Sequence, residues 1–267
     1  QCHLKDVCAK TLAEATVSET GSNVWRTYDT WPPKTTSPRR LYFHANGKLS
    51  FDPPRSPGID EYVHDPNKPV PFSSEVRTTQ GHLWMIEDQR FAAIRPDVMV
   101  YESDPLTEDV TIAGPIVASL RASTSGTDAD WVVKLIDVLP GDTPNNDPNP
   151  AGVRMGHFQM LLAGEVFRAK YRQSYEKPVP LVPGQATTLA FELRDRYHTF
   201  KKGHRIMVQV QSSWFPVIDR NPGVFTNIYH AKPAQYRRTT QRIHRSPGSA
   251  SSHVVVHVLE PARELVP

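Results

Sequence analysis

The sequence predicts an all-β protein built as a β-sandwich, and three observations support this fold class. The 267 residues include 25 prolines, which disfavour long helices because proline lacks the amide proton that helix hydrogen bonding needs. Many short segments show the two-residue alternation of strands and are separated by turn residues. Asn46-Gly47 joins two short apolar runs, which is a strong signal for a β-hairpin.

The first segment, residues 1–14, differs from the rest. Leu4, Val7 and Leu12 recur with loosely helical spacing, which indicates the tail of a helix that belongs to a preceding domain. The chain starts at a Gln and lacks the layout of a signal peptide, so we expect the natural start to lie upstream. Cys2 and Cys8 could pair in an oxidising compartment, but the sequence leaves both this pairing and the localisation open.

Strands are predicted from residue 15 onward. Residues 15–20 alternate and end at a Gly-Ser-Asn turn, residues 24–28 form the next strand, and residues 41–51 form the Asn-Gly hairpin. Residues 52–82 carry six prolines and few apolar alternations, which predicts a long extended connection. The later predicted strands are residues 98–102, 110–113, 116–122, 131–139, 156–162, 187–193, 205–212 and 253–259. In the segment 205–212, one face is expected to be buried and the other polar.

Charge and hydropathy argue against two classes of partner. The net charge of +3 is too small to imply nucleic acid, and no window approaches eighteen uninterrupted apolar residues, so we expect neither nucleic acid nor a membrane as partner. The basic run at residues 194–205 is interpreted as a solvated turn.

Signatures of catalytic and cofactor sites are missing from the sequence. None of the 14 glycines has a serine two positions later, so the G-x-S-x-G elbow of α/β-hydrolases is absent. Common zinc, redox and nucleotide motifs are also absent, and we expect no cofactor and no metal. Asp142, Asn145, Asn146 and Asp147 are interpreted as turn residues, and His198, His204 and His230 as exposed or hydrogen-bonded side chains.

Two aromatic clusters remain as candidate sites. Residues 83–86 (Leu-Trp-Met-Ile) follow the proline-rich connection, and they either plug the space under it or line a pocket or interface. Residues 214–216 (Trp-Phe-Pro) follow the predicted strand 205–212, where core packing and ligand stacking are both open.

Five motifs in order resemble one known family. They are residues 101–110 (YESDPLTEDV), 114–115 (GP), 127–138 (TDADWVVKLIDV), 200–206 (FKKGHRI) and 214–222 (WFPVIDRNP). Together they resemble the C-terminal domain of the X-Pro dipeptidyl-peptidase (S15) and cocaine esterase superfamily, and look most like α-amino acid ester hydrolases and glutaryl-7-aminocephalosporanic acid acylases. Residues 19–25, 31–33 and 47–51 resemble the segment that joins the hydrolase domain of this family to its jelly roll.

The resemblance implies a jelly-roll β-sandwich that is not catalytic by itself and packs on an α/β-hydrolase domain with the Ser-Asp-His machinery. Residues 1–14 would be the tail of that domain, residues 15–82 a connecting hairpin and extended segment, and residues 83–267 the jelly roll. The substrate would be a small ester or amide, and homo-oligomers are expected. Within the stretch 83–90, Leu83, Trp84, Met85 and Gln89 are predicted to wall the substrate pocket.

Two rival interpretations stay open. The chain could be a free-standing module that binds carbohydrate or another ligand, with Tyr197 and Trp214 as stacking residues on an exposed aromatic platform. It could also be a self-sufficient hydrolase whose triad is assembled from scattered loops, since triads are defined by geometry. If the sandwich is an accessory domain, we expect an exposed apolar patch where the hydrolase would sit.

Overall fold

The structure, a computed structural model, describes residues 13–75 and 86–260. The predicted helical remnant at residues 1–14 lies almost wholly outside the described residues, as do Cys2, Cys8 and the segment Leu83–Met85. The regular secondary structure of the described chain is mostly strand, with one short helix, α1 (Arg90–Ala93), and a few 3-10 turns.

Strands β1 (Ala15–Glu19) and β2 (Val24–Tyr28) pair as a separate antiparallel hairpin. The prediction of a second hairpin at Asn46-Gly47 is confirmed: both residues adopt positive φ angles, 61° and 68°. The remaining strands are β3 (Thr36–Phe43), β4 (Leu49–Ser50), β5 (Gly58–His64), β6 (Met99–Glu102), β7 (Val110–Gly114), β8 (Val117–Thr124), β9 (Asp130–Val138), β10 (Gln159–Arg168), β11 (Thr187–Glu192), β12 (Arg196–Phe200), β13 (Arg205–Gln211), β14 (Thr239–Arg245) and β15 (His253–Leu259).

Two antiparallel sheets form the sandwich. The smaller sheet has the order β10-β9-β13-β6. The larger has the order β12-β7-β15-β8-β14-β5, with β11 paired to β8, β3 paired to β15 and β4 paired to β3. The main apolar core of the described residues lies between them and includes Trp131, Val133 and Leu135 of β9 opposite Ile112 and Leu120 of the larger sheet. The predicted all-β sandwich is therefore confirmed.

The outer face of the smaller sheet is also covered, which differs from the prediction for residues 205–212. Gln209 and Gln211 were expected on a polar face, yet both side chains are fully buried. Gln209 Nε2 lies 3.3 Å from Gln159 Oε1 and 3.4 Å from the carbonyl of Gln89, just before α1. A second layer of chain over the sheet thus removes the solvent that the alternating pattern anticipated.

Three segments are organised differently from the prediction. Strand β5 interrupts the predicted connection 52–82 and pairs with β14. The sequence pattern did not predict β5. The predicted strand 156–162 is displaced and runs over Gln159–Arg168 as β10. The interpretation of residues 194–205 as a solvated turn is wrong for β12, because only the part around Gly203 turns and Tyr197–Phe200 are buried by the hairpin and the core. The division of the chain at residues 14 and 82 stays a prediction.

Among residues 13–75 and 86–260, no helix has the length and apolar character that crossing a bilayer requires.

Candidate functional site

A cavity of about 870 Å³ opens where the two sheets come together at one side of the sandwich. Its walls come from the edge strands β10 and β12 and from the loop before β10. Its exposed surface is mainly apolar, although nine of the nineteen lining residues are polar or charged, among them Thr20, Arg196 and His198 on the β12 side. Arg196 Nε donates to the carbonyl of Leu162 at 2.5 Å and so links the two edge strands. A large cavity whose surface is mainly apolar and whose wall also offers polar groups can serve as a binding or docking site.

The predicted pocket-wall residues fall partly on this cavity. Leu83, Trp84 and Met85 lie outside the described residues, but the next three residues, 86–88, line the cavity. Gln89 does not line it: its side chain is only 2% exposed. Residues 86–88 of the stretch 83–90 therefore lie in the cavity wall, and the role of the stretch in a substrate pocket stays a prediction.

Gln89 instead accepts a hydrogen bond from a buried lysine. Lys134 of β9 is fully buried, its Nζ lies 2.9 Å from Gln89 Oε1, and the ammonium sits 5.2 Å from the ring centroid of Trp214. Within the described part of the chain, no carboxylate lies within 4 Å of this ammonium. Burial lowers the pKa of Lys134 to about 7. Gln89, which we predicted to wall the pocket, therefore accepts a hydrogen bond from the buried amine of Lys134.

The two predicted stacking residues are covered in this structure. Trp214 is 9% exposed and packs against Phe72, with ring centroids 4.9 Å apart. Tyr197 is 6% exposed and packs edge-on against Tyr28 and Trp31. Neither ring presents an open face among the described residues, so stacking on a ligand stays a prediction that would require the covering side chains to move.

The β1–β2 hairpin docks on the free edge of β12. Thr20 N donates to the carbonyl of Tyr197 at 3.1 Å, and Thr199 N donates to the carbonyl of Thr20 at 2.9 Å. Thr199 Oγ1 donates to Glu19 Oε1 at 2.6 Å, and the hydroxyls of Tyr28 and Tyr197 are 2.5 Å apart. A two-stranded hairpin is marginal alone, so these contacts stabilise it and shield the edge of the sheet.

Glu19 is nearly fully buried in this contact. Burial alone would raise the pKa of its carboxyl, but hydrogen bonds from Ser22, Thr199 and Arg26 outweigh burial and lower it to about 2. The carboxylate therefore stays charged and paired over the whole physiological range of pH.

A polar cluster under the hairpin joins both sheets. Asp137 of β9 faces the interior, where its carboxylate lies 3.2 Å from His198 Nε2 and 2.9 Å from His204 Nδ1. His198 Nδ1 lies 2.8 Å from Thr20 Oγ1. Burial tends to raise the pKa of Asp137, yet the hydrogen bonds to the two histidines outweigh burial and hold it below its usual value.

Thr20, His198 and Asp137 are linked by hydrogen bonds in the same way as the nucleophile, the base and the carboxylate of a catalytic triad. The Thr20 hydroxyl, however, donates to the carbonyl oxygen of Tyr197 at 3.0 Å. The Asp137 carboxylate accepts the proton on His198 Nε2, and the Tyr197 carbonyl accepts the Thr20 hydroxyl proton that a base would have to remove. The arrangement anchors the hairpin to both sheets.

The predicted turn residue Asn145 is held by contacts within its own loop, whereas His198 and His204 are hydrogen-bonded to distant segments. Asn145 Oδ1 accepts from Met155 N at 2.9 Å within the loop, and no group of three or more His, Cys, Asp or Glu in the described residues could hold a metal ion. The prediction missed the buried roles of Lys134, Asp137 and His198. One signal was present, since Lys134 and Asp137 interrupt the apolar run of β9, where a charged side chain needs a partner.

Residues 9–254 of the sequence match the family of the X-Pro dipeptidyl-peptidase C-terminal non-catalytic domain. Cocaine esterase of Rhodococcus sp. (strain MB1 Bresler) is 28% identical over 249 residues, which cover 90% of this chain and 41% of that protein. A putative serine esterase of Mycobacterium bovis is 27% identical over 206 residues, which cover 70% of this chain and 30% of that protein.

Solved structures give the same result. An aminopeptidase from the marine sediment archaeon Thaumarchaeota archaeon superposes with a TM-score of 0.87 and 42% identity, covering 97% of this chain and 43% of that one. An α-amino acid ester hydrolase superposes with a TM-score of 0.83 and 41% identity, covering 91% of this chain and 40% of that one. The chain spans less than half the length of each of these relatives. It belongs to the family of X-Pro dipeptidyl-peptidase C-terminal non-catalytic domains.

Proposed function

We propose that this chain is the accessory domain of a serine hydrolase that acts on small esters or amides. In this proposal an α/β-hydrolase domain precedes it, holds the catalytic serine, and packs on the sandwich. The names of the relatives support this reading, since they include a cocaine esterase, an α-amino acid ester hydrolase and an aminopeptidase. The share of each relative that the chain leaves uncovered, more than half, provides room for such a domain.

The observation that carries the proposal is the apolar cavity between β10 and β12. Ile86 is 65% exposed and Val153 is 38% exposed at its rim, and both belong to its lining. An apolar surface of this kind costs free energy in water and commonly marks an interface. Thr20 of the hairpin and residues 86–88 both reach the cavity, so the hydrolase domain would meet the sandwich at this point.

A charge placed at the rim tests the docking. In the longer protein that carries both domains, we expect Val153→Asp to lower kcat/KM for a p-nitrophenyl ester by about tenfold or more, because the interface would bury an unpaired carboxylate. Val182→Asp is the matched control, since Val182 is also an exposed valine, 58% against 38% for Val153, but does not line the cavity. Equal, small effects of both variants, with unchanged melting temperatures of this chain, would reject the cavity as the docking surface.

Trp84→Ala tests the finer statement that the stretch 83–90 walls the substrate pocket. We expect KM of the longer protein to rise while kcat changes little, because an apolar contact to the substrate would be lost equally in the ground and transition states. Unchanged kinetics with unchanged stability would remove Trp84 from the pocket and leave the docking proposal standing.

The proposal also includes self-association, because an uncovered apolar cavity favours contact between copies. Light scattering of this chain alone should show a mass that grows with concentration, and a clean monomer at high concentration would count against it.

A free-standing binding module remains the second candidate, and one observation favours it. A shallow groove of about 330 Å³ is lined by Tyr171 and Tyr175, whose rings stack with centroids 6.0 Å apart, beside Asp219 and Arg168. Aromatic rings with polar neighbours are suited to sugars. A glycan array with this chain and its Tyr175→Ala variant tests this function, and equal signals from both would exclude the groove.

A further inference from the structure

The hairpin β1–β2 is held on the sandwich mainly by its contacts with β12. It forms its own two-stranded sheet, and its hydrogen bonds to β12 come from Glu19 and Thr20 at the end of β1 and from the Tyr28 hydroxyl at the end of β2. Gly21, just beyond, packs so tightly that a Cβ there would lie 2.2 Å from the carbonyl oxygen of Thr199. The backbone hydrogen bonds that attach the hairpin to β12 are therefore made by Thr20, directly after β1.

The side chain of Thr20 is the exposed end of a chain of buried groups. It contacts His198 at 2.8 Å, His198 contacts Asp137 at 3.2 Å, and Asp137 also contacts His204 at 2.9 Å. His198 belongs to the larger sheet and Asp137 to the smaller one. Both side chains are fully buried, so the imidazole cannot turn without leaving a buried carboxylate short of a partner.

We infer that Asp137 and His198 are positioning residues, which hold Thr20 and with it the β1–β2 hairpin in the orientation that sets the hydrolase domain against the cavity. The hairpin is the first described element of the chain, and Thr20 and His198 both line the cavity. A rotation of the hairpin at Thr20 would therefore move the preceding domain relative to the cavity wall. The link to the hydrolase rests on the proposed function, whereas the anchoring of the hairpin does not.

The first measurement is hydrogen exchange of the backbone amides of residues 15–28 in this chain. Thr20→Val removes the hydroxyl at nearly constant volume, and we expect exchange in the hairpin to become about five- to tenfold faster, as for the loss of one hydrogen bond. Thr20→Ser keeps the hydroxyl and should restore slow exchange. His204→Gln is the matched control: it also loses a bond to Asp137, but no hydrogen bond of the described residues joins His204 to the hairpin.

The second measurement is steady-state kinetics in the longer protein. We expect Thr20→Val and Asp137→Asn to raise KM several-fold at nearly constant kcat, with His204→Gln and Thr20→Ser close to the natural protein. Should Asp137→Asn fail to fold, Thr20→Val still decides, because its site is at the surface.

Hairpin exchange that is unchanged in Thr20→Val, or that rises equally in His204→Gln, overturns the anchoring. Faster hairpin exchange in Thr20→Val with unchanged kinetics overturns the positioning role. The docking proposal does not depend on that result, because Val153→Asp tests it separately. Faster exchange together with raised KM supports the inference.

Discussion

Replacing Lys134 by Met tests whether a buried ammonium without a carboxylate weakens this fold. Lys134 is fully buried among the described residues, and burial lowers its pKa from 10.5 to about 7. In the unfolded chain the amine is hydrated and keeps its ordinary pKa. Between pH 7 and 10.5, the unfolded state therefore binds one proton more than the folded state, and the free energy of unfolding rises with pH.

The size of the effect follows from this difference in proton binding. Between pH 7 and pH 10.5, Lys134 should make the free energy of unfolding of the natural chain rise by at most about 1.4 kcal/mol per pH unit. The rise between pH 7 and pH 9 should be about 2 kcal/mol. Below pH 7 both states are protonated and the cost of burying the charge is fully present. Methionine has a similar length and no charge, so Lys134→Met should be more stable by about 1–4 kcal/mol at pH 6.

The assay is urea unfolding at pH 6, 7, 8 and 9, followed by circular dichroism. Other titrating groups contribute equally to the natural chain and to the variant, so the difference between the two curves isolates Lys134. The exposed Lys177, replaced by Met, is the control and should give a curve parallel to that of the natural chain. A Lys134→Met protein that is less stable at pH 6, or whose stability has the same pH dependence as the natural chain, would refute the reasoning.

Two further substitutions test the packing around the sandwich. Asp130→Asn should lower the free energy of unfolding by about 3–5 kcal/mol in urea titrations. Asp130 is buried and accepts hydrogen bonds from both Nε and Nη2 of Arg168, at 3.0, 3.2 and 2.9 Å, and one from Asn221. A loss under about 1 kcal/mol would contradict this account. Gly164→Ala should lower the free energy of unfolding by about 1–3 kcal/mol and shift the tryptophan fluorescence, because the added Cβ would lie 2.9 Å from Trp214 Cη2. Unchanged stability and emission would show that the ring moves freely.

Local patterns were sufficient for the elements whose partners lie nearby. The strand predicted at residues 24–28 matches β2, and the Asn-Gly turn is present because only a few residues tolerate the positive φ that it needs. Strand β5 was missed because the surrounding prolines suggested an open connection, although its own residues Gly58–His64 contain none. It forms because β14, more than 170 residues later, supplies its hydrogen-bond partners.

The candidate site was predictable only in part for the same reason. The motifs led to the family, and the apolar stretch before Gln89 pointed to a region whose residues 86–88 lie in the cavity wall. No pattern along the chain reported that Gln89 would turn inward to Lys134, because the two residues are 45 positions apart. The same holds for Thr20 and His198, which are 178 positions apart.

The amino-acid sequence alone determined the strand periods, the tight turns and the membership of a family, since these depend on neighbouring residues and on motifs that can be read in order. The tertiary structure alone decided which polar side chains are buried. Alternation shows which residues share a face of a strand, but whether solvent, a second layer or another sheet covers that face depends on distant segments. Lys134, Asp137 and His198 take their roles from such coverage, and the cavity exists because the edges of two sheets meet beside it.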